Sequence, residues 1–265
     1  MSSSERVNQQ VKGAYVVASG ISDPGRVRLE NQDAIYLDKD GHFLLLADGM
    51  GGHERGAEAS ETAIEVVQEY LQPERVKSEL QDITNVDGVP ADVICLFALV
   101  DKGINKANKV LYERNQEQGL ERYMGSTFVG LVPVSSENMM WFHVGDSRLY
   151  RWRDSTLKCL TVDHSAYAEW VRGGKSGAEP AKNIVTRAVG PREGVVPDID
   201  WEKYEQGDLY IMCSDGLNDM LTDDEIVEIL RDGEDEDVNS IANRLIDAAL
   251  DAGGRDNTSV VVCKV

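Results

Sequence analysis

The run Leu44-Leu45-Leu46-Ala47-Asp48-Gly49-Met50-Gly51-Gly52-His53 ends an apolar stretch at a carboxylate and then places three glycines within four residues. The apolar part is short enough for a buried strand. The glycines exclude a helix interior, where each would cost about 1 kcal/mol against Ala. Asp48 is therefore expected at the mouth of a strand, where the chain turns and backbone carbonyls are open. A hard divalent cation takes oxygen ligands of both kinds, carboxylate and carbonyl. An ordinary Asp-Gly turn between strand and helix gives the same pattern, so the choice rests on the rest of the chain.

Upstream, residues 14–22 read as a first strand, closed by a turn at Asp23-Pro24-Gly25. The segment 26–37 ends in a second strand. Asp40-Gly41 then predicts a hairpin into Phe43–Ala47. Downstream, Ala59, Ala63, Val66, Val67 and Tyr70 fall at helical spacing, which predicts a helix over 56–71. Residues 81–90 read as a loop. A longer helix follows, with Val93, Leu96, Phe97, Val100, Ile104, Ala107 and Leu111 on one stripe. Ser126–Val134, Met139–Val144 and Arg148–Trp152 are strands, the first two apolar enough to be covered on both faces. The Gly-rich stretch 165–183 is expected to be a surface excursion, and strands return at 184–189, 196–202 and 209–213. Thr222-Asp223-Asp224-Glu225 is a capping box opening a helix to about Leu230. Val238, Ile241, Ala242, Leu245 and Ala249 mark another helix, stopped by Gly253-Gly254 before the last strand, Ser259–Val262. Strands, two helices, strands, two helices and a strand fit two sheets between helical layers.

The 265 residues, 42% of them hydrophobic, suffice for a large core. The net charge of −20 disfavours nucleic acid, which requires a basic face. No apolar run approaches 18 residues, so no membrane span is expected. The polar start lacks a signal-peptide core, and residues 1–13 are expected to be a flexible N-terminus. The four cysteines, Cys95, Cys159, Cys213 and Cys263, are far apart and form no CxxC pair. Reduced thiols in a cytoplasmic protein are the expectation.

Three further acidic residues repeat the setting of Asp48. Asp215 lies between an apolar run and Gly216, Asp256 between Gly253-Gly254 and the last strand, and Asp146 just after Gly145 at a strand end. Gathered on one rim they would repel and raise one another's pKa. A pair of divalent cations removes that conflict, and oxygen-only ligands select Mg²⁺ or Mn²⁺.

At this point a family resemblance emerges. Val27-Arg28 with Asn31-Gln32-Asp33, Asp48 to His53, Gly125-Ser126-Thr127, Val144-Gly145-Asp146-Ser147-Arg148, Asp163-His164-Ser165, Thr186 to Gly190, Cys213-Ser214-Asp215-Gly216-Leu217 and Arg255 to Val260 together resemble the ordered motifs of the metal-dependent protein Ser/Thr phosphatases of type 2C, in their compact bacterial form. The resemblance runs from about residue 14 to 265. It implies an α+β fold: a four-layer α-β-β-α sandwich with two central, mainly antiparallel sheets. Residues 14–265 would be a single phosphatase domain with a flap-like excursion at about 165–183.

The resemblance further implies a centre of two Mn²⁺ or Mg²⁺ ions, with a weaker third. Asp48 would bridge the pair, the Gly49 carbonyl would bind one ion, and Asp215 and Asp256 the other. Asp146 would hold the third. Asp33 would orient the attacking water, and Arg28 would clamp the substrate phosphate. The function implied is hydrolysis of phosphoserine and phosphothreonine in proteins by a metal-activated hydroxide. Its substrates would be targets of a Ser/Thr kinase, and the protein is expected to act as a monomer, without nucleic acid or membrane.

Gln32 stands where the family often has Glu, the excursion is shorter than usual, and Met50 stands where eukaryotic members carry a His, so no general acid is assigned. His53 is expected in a loop, His143 in the core, and His164 at the start of the flap. Neither Ser126 nor Ser147 sits in a nucleophile elbow, and no Cys-x5-Arg signature occurs. Two other functions fit the same residues: a non-catalytic phosphoprotein-binding module on this fold, and a phosphatase of small phosphoesters.

Overall fold

The computed structural model describes residues 5–51, 54–81, 83–119 and 123–265. Gly52 and His53 lie outside the described residues. The chain runs β1 (Val7–Lys12), β2 (Val17–Asp23), β3 (Asp33–Leu37), β4 (Leu44–Met50), α1 (Glu54–Leu71), α2 (Pro73–Leu80) and α3 (Ala91–Glu117). Then come β5 (Gly125–Ser126), β6 (Phe128–Pro133), β7 (Asn138–Val144), β8 (Arg148–Arg153), β9 (Thr156–Cys159) and α4 (Ala166–Arg172). It closes with β10 (Asp198–Lys203), β11 (Leu209–Cys213), α5 (Asp215–Asn218), α6 (Asp223–Asp232), α7 (Val238–Asp251) and β12 (Thr258–Lys264).

Two antiparallel sheets form, in the orders β1-β2-β12-β11-β8-β9 and β10-β7-β6-β4-β3, with β5 paired to β4. The strand carrying Asp48 shows why they stack. Side chains alternate across a strand. Leu44 and Leu46 enter the core between the sheets with Val129, Leu131, Tyr210 and Val261. Leu45 and Ala47 point the other way, into a core shared with Ala59 and Ala63 of α1 and Val100 and Ile104 of α3. A third core joins the outer face of the other sheet, through Ile211, Val260 and Val262, to Ile226 of α6 and Leu245 of α7. Three cores between four layers give the expected α-β-β-α sandwich, and they explain why β4, β6 and β7 read as unbroken apolar runs.

Some local expectations are corrected. Residues 7–12, expected within a flexible N-terminus, are a paired strand with Val11 buried in the inter-sheet core. Residues 184–189 form no strand and only isolated bridges, Ser165 to Val185 and Ser126 to Val189. A short α4 lies within the expected excursion, and α2 and β9 are short elements for which the sequence offered no assignment. All four cysteines are free, with Cys159 exposed and the others buried.

Candidate active site

The end of β4 and its neighbour β3 begin the site. Asp48 lies opposite Asp33 in the β3–β4 register. The backbone of Asp48 is fixed by the strand entering β6: its N–H donates to Thr127 Oγ1 at 3.1 Å, and its carbonyl accepts from Ser126 Oγ at 2.9 Å and Thr127 N at 2.8 Å. Thr127 Oγ1 is also 2.7 Å from Ser147 Oγ, which ties Asp48 to the turn carrying Asp146. Gly49 donates to the Gln32 carbonyl at 3.1 Å, and a Cβ there would collide with the carbonyl oxygen of Gly56. Glycine is therefore required for the chain to turn into α1 at this point.

The other sheet supplies the opposite side. Asp215 follows β11 and opens α5, and a Cβ on Gly216 would collide with the Asn257 carbonyl beside Asp256. Asn257 binds the loop before β3 at three points: Oδ1 accepts from Gln32 N at 2.9 Å, and Nδ2 donates to the carbonyls of Pro24 and Glu30 at 2.9 and 2.8 Å. That loop carries Arg28, whose guanidinium donates to Asp256 Oδ2 at 2.6 Å. The charge of Asp256 and, more weakly, those of Asp215 and Asp48 hold the Arg28 cation above its ordinary pKa. Asp33 Oδ2 lies 2.7 Å from both Ser214 Oγ and Ser259 Oγ, while its Oδ1 is buried and meets no hydrogen-bond partner.

The electrostatics of this group are adverse by themselves. Asp48 is pushed well above the usual carboxylate range by burial and then by Asp33, Asp215, Asp146 and Asp256. Asp215 is pushed up likewise, by burial and then by Asp146, Asp256 and Asp33. Asp33 rises to about 6 through burial, against the lowering effect of its two serine partners. Asp146 also rises to about 6, through burial and then the charge of Asp163. The fold thus brings Arg28, Asp33, Asp215, Asp256 and Asp146 within electrostatic reach of Asp48, beside Gly49. A buried carboxylate oxygen without a donor, in a set of carboxylates each disfavouring the next, suits bound cations, and the all-oxygen donor set suits Mg²⁺ or Mn²⁺.

Among the described residues, the threes whose ligand atoms converge within 4.8 Å are different ones: His143, His164 and Asp198, and Asp38, Asp40 and His42. The first is not built for an ion. His164 Nδ1 accepts from Gly145 N at 3.0 Å, so the neutral ring carries its proton on Nε2, 3.2 Å from Asp198. The two rings stack at 4.5 Å with only 16° between planes, so their lone pairs do not meet on one ion. His164 clamps Gly145, since its backbone N–H also donates to the Gly145 carbonyl at 2.9 Å. In the second, Asp38 is already bonded to Asp40 N, His42 N and His42 Nδ1.

Sequence reasoning placed the acidic residues and Arg28 but missed Ser126, Thr127, Ser214, Asn257 and Ser259 as their supports. All five sit inside the quoted motifs. The signal was small polar residues at strand ends, where apolar ones would be expected.

The comparisons with known proteins agree with this geometry. A family model described as "Protein phosphatase 2C" matches residues 26–245. A "Putative protein phosphatase 2C-type" of Streptococcus pyogenes is 32% identical over 249 residues, covering 91% of this chain and 94% of that protein. The "Serine/threonine protein phosphatase PstP" of Mycobacterium tuberculosis is also 32% identical, over 92% of this chain, but the chain spans only 44% of that relative's length. A solved catalytic domain of the serine threonine protein phosphatase PstP, in complex with two manganese ions, superposes with a TM-score of 0.76 at 32% identity, covering 94% of this chain and 97% of that one. By family model, sequence and fold alike, this chain belongs to the protein phosphatase 2C family.

Proposed function

We propose that the chain is a metal-dependent protein phosphatase that hydrolyses phosphoserine and phosphothreonine in proteins. The observation carrying this is the half-buried carboxylate of Asp48 among Asp33, Asp215, Asp146 and Asp256, with Arg28 held at Asp256. Asp48, the Gly49 carbonyl, Asp215 and Asp256 would hold two Mn²⁺ or Mg²⁺ ions, and Asp146 a weaker third. Bound there, the cations supply Lewis acidity that activates water and offsets charge on the phosphoryl group.

The chain's own residues do the rest. The planar fork of Arg28 suits two oxygens of a phosphoryl group and orients the phosphorus for in-line attack. Asp33, fixed through Oδ2 by Ser214 and Ser259, presents Oδ1 to accept a hydrogen bond from the attacking water. Substrates laid down by a Ser/Thr kinase, action as a monomer and a cytoplasmic setting belong to the same proposal, and the free cysteines accord with the last. Among the described residues no helix is long and apolar enough to cross a membrane.

With Mn²⁺ the protein is expected to release phosphate from p-nitrophenyl phosphate and from phosphothreonine peptides. EDTA is expected to stop both, and Asp48→Ala or Asp215→Ala to abolish both. Turnover that survives chelation would refute the metal-dependent reading. Phosphopeptide binding without turnover under any metal would favour the binding module.

A further inference from the structure

Residues 24–32, between β2 and β3, belong to no strand or helix. Arg28 sits at the middle of this loop. Its neighbours give it no core to rest on, since Val27 is 65% and Leu29 92% exposed. The ion pair with Asp256 is itself open to solvent. Exposed pairs of this kind stabilise little, so the pair is not what fixes the loop.

The fixing comes from the segment 254–257. The Gly254 carbonyl accepts from Arg26 N at 2.8 Å. Gly25, at φ +78°, packs so closely on this segment that a Cβ would collide with the carbonyls of Gly254 and Asp256. Asn257, only 6% exposed, adds its three bonds to Pro24, Glu30 and Gln32. Its side chain thus fastens the loop on both sides of Arg28. An amide suits this task, because the partners are two carbonyls and one N–H, and asparagine carries two donors on one atom and an acceptor on the other. A carboxylate would set an oxygen against two carbonyls, and a hydroxyl could serve only part of the set.

The backbone of Asn257 has a separate task. Its N–H donates to Asp256 Oδ1 at 2.9 Å, while Asp256 Oδ2 meets Arg28. A change of the Asn257 side chain therefore releases the loop and leaves this bond to Asp256 in place.

We propose that Asn257 is the positioning residue of the phosphate clamp: by fastening residues 24–32 on both sides of Arg28, it holds the guanidinium where a phosphoryl group is met. The proposal rests on the role given to Arg28 in the phosphatase reading. A fork set in advance loses little freedom when it binds two oxygens, so the gain appears in affinity for the phosphoryl group itself. In a loosened loop, Arg28 must be ordered at each binding event.

The test is a double-mutant cycle on phosphate affinity. Inorganic phosphate is titrated calorimetrically into the protein at saturating Mn²⁺, for wild type, Asn257→Leu, Arg28→Ala and the double variant. Asn257→Leu adds no charge, changes volume little and removes all three side-chain bonds. It is expected to weaken phosphate binding about tenfold when Arg28 is present. In the Arg28→Ala background it is expected to weaken it by less than about twofold. Asn257→Ser, which can keep some of the bonds, is expected to fall between, and it carries the cycle alone if Asn257→Leu does not fold. Affinity for Mn²⁺, titrated separately, is expected to stay within about twofold of wild type in the Asn257 variants.

A wild-type protein that binds no phosphate would overturn the proposal. So would an Asn257 effect that is absent, or one of equal size with and without Arg28, which would mark a structural role unconnected with the clamp. A loss of Mn²⁺ affinity that accounts for the whole loss of phosphate would place the effect at Asp256 instead. Wild-type turnover of p-nitrophenyl phosphate reports separately on the phosphatase reading, because phosphate affinity is read without any turnover.

Discussion

Asp33 is held by two hydroxyls on one oxygen and by nothing on the other. Both hydroxyl bonds favour the charged carboxylate, while burial favours the neutral acid and raises it to about 6. Removing the hydroxyls leaves burial unopposed. Ser214→Ala with Ser259→Ala is therefore expected to move the acid limb of the pH–rate profile upward, because Asp33 would keep its proton to higher pH. Activity at pH 7 should fall about tenfold, the usual scale for a lost hydrogen bond to a charged group, and should recover in part at pH 9. A variant whose loss is the same at every pH would assign the two serines to packing alone. At this scale the acidic residues were legible because carboxylate-glycine junctions at strand ends are local patterns. Their supports were not, because Ser259 meets Asp33 across 226 residues of chain, and nothing local to a serine announces a distant partner.

The capping box at Thr222 shows a local signal that tertiary structure keeps. The Thr222 side chain accepts from Glu225 N, and the Glu225 side chain returns to Thr222 N, as their spacing predicts. Thr222→Ala is expected to cost about 1 kcal/mol in denaturant unfolding, visible as a lower midpoint with an unchanged slope. The first strand shows the reverse. Residues 7–12 alternate weakly and expose polar side chains, which hid an edge strand that pairs over its whole length with β2. Arg6 adds bonds to Asp23 at 2.8 Å and Asp247 at 2.9 Å. Truncation before residue 13 would uncover the edge of β2 and open the inter-sheet core at Val11. It is expected to lower Tm by roughly 5 °C or more by calorimetry, while an unchanged Tm would show that β1 adds no stability. Residues 184–189 failed as a strand for a related reason: an apolar pattern fixes burial but not pairing, and this segment contributes only bridges beside Ser126 and Ser165.

At the scale of the molecule, the order of helices and strands was enough to predict four layers, because each sheet face must be covered. The strand order was not legible, since β2 pairs with β12 across most of the chain and β11 pairs with β8 past the whole stretch that carries α4 and β10. That pairing places the ends of β4, β7 and β11 and the starts of β3 and β12 together, and so collects carboxylates that the unfolded chain keeps apart.

A stability consequence follows for the chelated protein. Asp33 and Asp146 rise to about 6, and Asp48 and Asp215 are raised as well, against about 3.9 in an unfolded chain. Between those values the native state keeps protons that the unfolded chain has released, so stability falls as pH rises. The buried histidines act oppositely. His164 is lowered to about 4 by burial and then by His143, and His143 is lowered too, so these two favour folding increasingly up to the ordinary histidine value of about 6.5. The trends oppose each other below pH 6.5, with four carboxylates acting against two histidines. In EDTA, Tm is expected to fall as pH rises from about 5 to about 6.5, by roughly 5 °C, and millimolar Mn²⁺ should abolish the fall by giving the ionised carboxylates a partner. The Asp48→Asn variant should lose most of the slope in EDTA, since an amide carries no charge into the group. A Tm in EDTA that is flat or rising over that interval would mean that the aspartates are not in electrostatic conflict, and the case for a cation site built on their proximity would lose its physical basis.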